Sequence, residues 1–65
     1  MNRIKLILKE QGRSQTWLAG KLGMSKVTVT NYCSNRNQPK VETLYDIARL
    51  LGVDVPDLLE SVEKK

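Results

Sequence analysis

The sequence contains no histidine and only one cysteine, Cys33. With no second thiol there is no intramolecular disulfide, and with no Cys/His set there is no structural zinc site. The core must therefore come from apolar packing alone. Long hydrophobic runs are also missing. Leu6-Ile7-Leu8 is cut off by Lys5 and Lys9, far short of a membrane span or a signal-peptide core. The chain reads as soluble and intracellular. Neither a paired-carboxylate cleft nor a phosphate-binding Gly-rich loop can be found, so with histidine absent as well, the expectation is a protein that is not an enzyme and needs no cofactor or metal.

Acidic residues are scarce in one half only. Residues 1–40 carry Arg3, Lys5, Lys9, Arg13, Lys21, Lys26, Arg36 and Lys40 against Glu10 alone, a balance of +7. Residues 41–65 carry Arg49, Lys64 and Lys65 against six carboxylates, a balance of −3, and the whole chain has a net charge of +4. A basic end on so small a protein points to a polyanion, with nucleic acid ahead of an anionic membrane surface. The 65 residues suffice for one domain, 1–65, that can bury roughly 60% of its unfolded surface. A large catalytic pocket does not fit that size.

Stop signals divide the chain into five predicted helices. The first runs from about Asn2 to Gln11, with Ile4, Ile7 and Leu8 on one face, and ends at Gly12. The second opens at Ser14 as N-cap, buries Leu18, Ala19 and Leu22, and stops at Gly23. The stretch Ser25–Cys33 then poses a conflict, because its Val-Thr-Val-Thr alternation has the period of a half-buried strand. A helix capped by Ser25 resolves it. Met24 and Val29 become a hydrophobic staple, and Val29, Tyr32 and Cys33 share one face at i, i+3, i+4 spacing. A strand would need a partner, and no second β-rich run exists. After the polar segment 34–40, a fourth helix over about Val41–Leu51 is expected to bury Val41, Leu44, Ile47, Ala48 and Leu51. A fifth starts at Asp54 with Pro56 in its first turn and fades by Val62 to Lys65, with Val53 and Leu58 as a second staple.

Two short helices joined by a Gly-containing three-residue turn, inside a bundle with a basic end, form a helix-turn-helix arrangement. The second of the pair can lie in the DNA major groove while the first holds it rigid. Here the residues resemble the phage-repressor and Cro-like (Xre-type) helix-turn-helix family. The matching positions are Gly12, Ser14-Gln15, Leu18-Ala19, Leu22-Gly23, Ser25, Val29, Pro39, Leu44, Ile47-Ala48 and Leu51-Gly52-Val53, in that order over nearly the whole chain. The resemblance implies an all-α, compact five-helix bundle with helices 2 and 3 as the helix-turn-helix. It also implies a transcriptional regulator that binds double-stranded DNA and acts in the cytoplasm of a bacterium or phage host, at the nucleoid. Antitoxins and restriction-modification controllers share the architecture and stay open as alternatives, as does an adaptor that binds only protein.

Carried over by position, the resemblance implies that helix 25–35 reads bases through Lys26, Val27, Thr28, Thr30 and Asn31. Gln15, Ser34, Asn35, Arg36 and Lys40 match positions that contact the DNA backbone. The chemistry fits: Lys26 suits guanine, Asn31 suits adenine, and the Val27 or threonine methyls suit thymine. Leu8 and Cys33 stand where the family usually has an Arg–Glu ion pair, which predicts that the two side chains touch. Arg13 replaces a usual Leu, which implies a more solvated turn. Trp17 has Arg13 and Lys21 at i−4 and i+4, and its indole can stack on them or reach a phosphate. Surplus apolar residues Leu50, Val55, Leu59 and Val62 are candidates for a twofold homodimer contact.

Overall fold

The computed structural model describes residues 2–59. Four α-helices follow one another: α1 (Ile4–Glu10), α2 (Gln15–Leu22), α3 (Lys26–Cys33) and α4 (Val41–Leu51), with a single 3-10 turn at Val55–Leu58. Among the described residues the one β pairing is an isolated antiparallel bridge between Asn2 and Leu59. α2 packs mainly on α3, α4 on α2 and the 3-10 turn, and α1 on α3. No helix of the described residues is long and apolar enough to cross a membrane.

Each helix is built from the signals that its sequence carries. Ser14 Oγ accepts the Trp17 N–H at 2.9 Å, and Ser25 Oγ accepts the Thr28 N–H at 3.1 Å, so both caps satisfy an N–H left free by the first turn. At the other end of α2, Gly23 adopts φ +68°, which lets the Met24 N–H reach back to the Ala19 carbonyl at 3.0 Å. That left-handed residue makes the sharp turn into α3. The corresponding residue after α3 is Asn35, with φ +63° and the Arg36 N–H on the Asn31 carbonyl at 3.0 Å.

The core comprises Ile4, Ile7 and Leu8 of α1, Leu18 and Ala19 of α2, Val29 and Cys33 of α3, Leu44, Ile47, Ala48 and Leu51 of α4, and Leu58. Leu8 and Cys33 thus lie in one apolar cluster. Leu22, Met24 and Tyr32 are half-buried against it. The strand-like alternation of α3 splits by face, with Val29 fully buried and Val27 69% exposed.

Several expectations need correction. The predicted fifth helix is one 3-10 turn: the Leu58 carbonyl accepts the Arg3 N–H at 2.7 Å, and Leu59 is extended (φ −110°, ψ 139°) in its bridge to Asn2. Pairing with the N-terminal segment takes the backbone there away from helical geometry. The remainder of that predicted helix lies outside the described residues. For the same reason α1 begins at Ile4 rather than Asn2, which is spent on the bridge. The predicted helix 25–35 ends two residues sooner, at Cys33, because left-handed Asn35 closes it. Val41, expected inside, is 66% exposed, while Thr43 and Pro39 are buried. Val41 is the first residue of α4 and lies off the face that the helix buries through Thr43, Leu44, Ile47, Ala48 and Leu51.

Candidate nucleic-acid interface

Two helix starts and one polar loop place the predicted site residues on the surface. Lys26 and Val27 open α3 and are exposed, as is Thr30 one turn later, and Asn31 beside it is half-buried. The opposite face of α3 is occupied by Val29 and Cys33 in the core, so these four side chains are what the helix offers outward. Thr28 differs from them. Its hydroxyl lies 2.8 Å from Ser25 Oγ and its side chain is half-buried, so it belongs first to the N-cap of α3. Among the described residues the side-chain amide of Asn31 makes no hydrogen bond, which leaves its donor and acceptor available together.

Gln15, the first residue of α2, is joined to α3: its Oε1 accepts the Thr30 hydroxyl at 3.1 Å. The amide nitrogen of Gln15 is then the free end of the group. Around Gln15 lies an open groove of about 470 Å³ lined by Lys5, Lys9, Arg13 and Lys26 together with Ser14, Thr16 and Leu8. Four cations thus converge on the start of α2, where the first-turn N–H groups add partial positive charge. Sequence reasoning missed Lys5, Lys9 and Arg13 as part of this surface. Their spacing of four residues was the available signal, since it places them along one side of α1 and the turn after it.

The Arg13 guanidinium lies 4.2 Å from the centre of the Trp17 ring, and its Nε donates to Gln11 Oε1 at 3.1 Å. The turn is solvated, as Arg13 in place of a leucine implied, and the indole stacks on Arg13. In the 34–40 loop, Ser34, Arg36 and Lys40 are exposed. The Ser34 hydroxyl donates to the Asn31 carbonyl at 3.3 Å. Asn35 is turned inward: its Oδ1 accepts the backbone N–H of Asn2 at 2.7 Å and Gln38 Nε2 at 3.2 Å.

Cys33 sits at the inner wall of a second groove, with Asn2, Arg3, Lys5, Leu6, Lys9 and Asn35 around it. Burial pushes its thiol above the usual range, with the Lys5 charge a smaller opposing influence, so at neutral pH it is a protonated core side chain. Of the candidate dimer residues, Leu50 and Val55 are half-buried against the protein's own core, and Leu59 is 40% exposed. Val62 lies outside the described residues. Larger apolar exposure occurs at Val41 and Tyr45, one turn apart on α4.

No curated protein sequence matches the chain. Among solved structures it is similar to the crystal structure of a "putative DNA-binding protein from Bacteroides fragilis", with a TM-score of 0.88 and 43% sequence identity over 89% of this chain and 94% of that one. The helix-turn-helix family matches residues 4–58, which include all four α-helices and the 3-10 turn. By that match and by the α2–turn–α3 geometry, the chain belongs to the Xre/Cro-like helix-turn-helix family.

Proposed function

We propose that this protein is a sequence-specific, DNA-binding transcriptional regulator that occupies an operator by seating α3 in the major groove. The observation that carries this reading is the outward row Lys26, Val27, Thr30 and Asn31 on a helix whose other face is locked in the core. Lys26 donates to guanine O6 or N7, Asn31 pairs with an adenine edge, and Val27 packs on a thymine methyl. Thr30 divides its hydroxyl between Gln15 and a base, and Thr28 contributes its methyl from the cap. These contacts read sequence, whereas the surrounding cations supply most of the affinity.

Backbone contacts come from two sides of α3. On one side the Gln15 amide nitrogen, held toward the outside by Thr30, donates to a phosphate beside Lys5, Lys9 and Arg13. On the other, Ser34, Arg36 and Lys40 follow the next part of the strand, with Asn35 shaping the loop that carries them. A twofold dimer places two such units on half-sites one DNA turn apart. Leu59 and the exposed α4 side chains Val41 and Tyr45 are the apolar surface that such a contact would cover, to be checked by sedimentation with Tyr45→Ala as the disrupting variant.

Selection of bound sites from random duplexes tests the reading directly. The wild type should enrich one motif. Lys26→Ala and Asn31→Ala should each relax the preference at one position and cost about 1–3 kcal/mol there. Retention of wild-type preference by both variants refutes the assignment of the reading face. An adaptor that binds only protein would show no steep loss of affinity for its ligand as salt rises, whereas several phosphate contacts require one.

A further inference from the structure

Asn2 is the most heavily bonded polar side chain in the described structure. It is 5% exposed. Its Oδ1 accepts the N–H of Ile4, the first residue of α1, at 3.2 Å, and its Nδ2 donates to the Tyr32 carbonyl at 2.8 Å and to Gln38 Oε1 at 3.0 Å. Its backbone N–H donates to Asn35 Oδ1 at 2.7 Å, and the same residue forms the bridge to Leu59. One residue therefore ties together the start of α1, the last turn of α3, the loop after it and the end of the described chain.

The turn at Asn35 explains why the clamp matters. A left-handed residue closes α3 there, as Gly23 closes α2, yet glycine is the residue that would adopt this geometry at least cost. Asparagine supplies what glycine lacks, an acceptor that binds both Asn2 and Gln38. The 34–40 loop contains no helix or strand of its own. Its conformation is fixed at its third from last residue by Gln38 and near its start by Asn35, and both fixings converge on Asn2. Arg36 lies between them and Lys40 two residues beyond.

We propose that Asn2, acting through Asn35 and Gln38, is a positioning residue for DNA-backbone binding by Arg36 and Lys40. It touches no DNA itself. Its hydrogen bonds fix the loop that leads from the recognition helix through Arg36 to Lys40, so the ordering of that loop is not left to the moment of binding. This inference rests on the DNA-binding reading above, and its test separates the two.

The test measures affinity for a mixed-sequence duplex across a salt series, at a temperature well below each variant's melting transition. Five proteins are compared: wild type, Asn2→Ala, Gln38→Ala, the Arg36→Ala/Lys40→Ala pair, and that pair combined with Asn2→Ala. Each lost phosphate contact lowers the slope of log affinity against log salt by about one. Asn2→Ala keeps the backbone N–H on Asn35 Oδ1 but cuts the side-chain bonds to Ile4, Tyr32 and Gln38, so it should lose about one to two units of slope and should add nothing when combined with the Arg36/Lys40 pair. Gln38→Ala, which cuts the bonds to Asn2 Nδ2 and Asn35 Oδ1 at the exposed side of the clamp but leaves Asn2 on the Tyr32 carbonyl, should lose a smaller part. A folded Asn2→Ala variant with wild-type slope overturns the inference, as does an Asn2→Ala loss of equal size in both backgrounds, which marks general destabilisation. Should Asn2→Ala not fold, Gln38→Ala decides, and an unchanged slope there is equally fatal. Wild-type protein without salt-dependent duplex binding removes the DNA-binding reading and this inference with it, whereas the variant outcomes bear on Asn2 alone.

Discussion

Two chemically identical substitutions, two residues apart in α3, should change stability in opposite directions. Val29→Ala removes two methyl groups from a fully buried position. At about 0.8 kcal/mol per buried methylene, the transfer loss is about 1.6 kcal/mol. Incomplete collapse around the site adds a cavity term, and the better helix propensity of alanine returns about 0.6 kcal/mol. The net cost is about 1–2 kcal/mol. Val27 is 69% exposed, so Val27→Ala forfeits little packing and keeps the propensity gain, a stabilisation of about 0.5 kcal/mol. For a domain of this length, 1 kcal/mol moves the melting temperature by roughly 4–8 °C. Thermal unfolding followed by far-UV circular dichroism should therefore show Val29→Ala lower by roughly 5–15 °C and Val27→Ala higher by a few degrees. The whole domain has a stability of roughly 3–10 kcal/mol, so the weaker variant is still folded at room temperature. Shifts of equal sign and size would refute the division of α3 into a packed and an outward face.

Glycines give a second contrast. Gly23 has φ +68° and open space where a Cβ would stand, so Gly23→Ala should cost about 1–2 kcal/mol in denaturant unfolding from backbone strain alone. Gly20, exposed within α2 with the same open space, should gain about 0.5–1 kcal/mol as alanine, and equal effects at both sites would contradict the turn geometry. Thr30→Val cuts the hydroxyl link to Gln15 in an exposed setting, so stability should change by less than about 1 kcal/mol. Its loss of DNA affinity should not add to that of Gln15→Ala, and strictly additive losses would mean that Thr30 does not orient Gln15. The Cys33 thiol is raised above 9.0 by burial, so the folded state holds its proton more tightly than the unfolded state does. Its contribution to stability is complete below the unfolded value and declines as pH rises toward the folded one. The melting-temperature difference between wild type and Cys33→Ala should change little at neutral pH and shift against the wild type above about pH 9. A difference that stays flat into that alkaline range would argue against the buried position.

Much of the fold was legible because its instructions are local. Ser14 and Ser25 each supply a cap oxygen to the turn that follows, Gly23 and Gly52 supply left-handed stops, and Val29 and Cys33 recur at the period of a helix face. Such signals act over three to five residues, which is the range that a sequence displays directly. The α2–turn–α3 unit and its outward row follow from them. The error at the fifth helix has the same origin. Asp54, Asp57 and Pro56 do start a turn, and the Asp54 N–H does donate to Asp57 Oδ2 at 3.1 Å, but local signals carry no information about a partner strand fifty-seven residues away in sequence.

The sequence by itself thus determined the order of the four α-helices, the helix-turn-helix and the polarity of charge, because caps, stops and periodicity are short-range chemistry. Only the tertiary structure decided how the ends close and what the loop after α3 rests on. Asn2 meets Leu59, Tyr32, Asn35 and Gln38 only when the helices have packed, and no spacing in the chain foretells it. Spacing aligns Lys5, Lys9 and Arg13 along one side, but their meeting with Lys26 around Gln15 is a product of packing. Hydrogen bonds and charge fields act through space, and folding sets those distances.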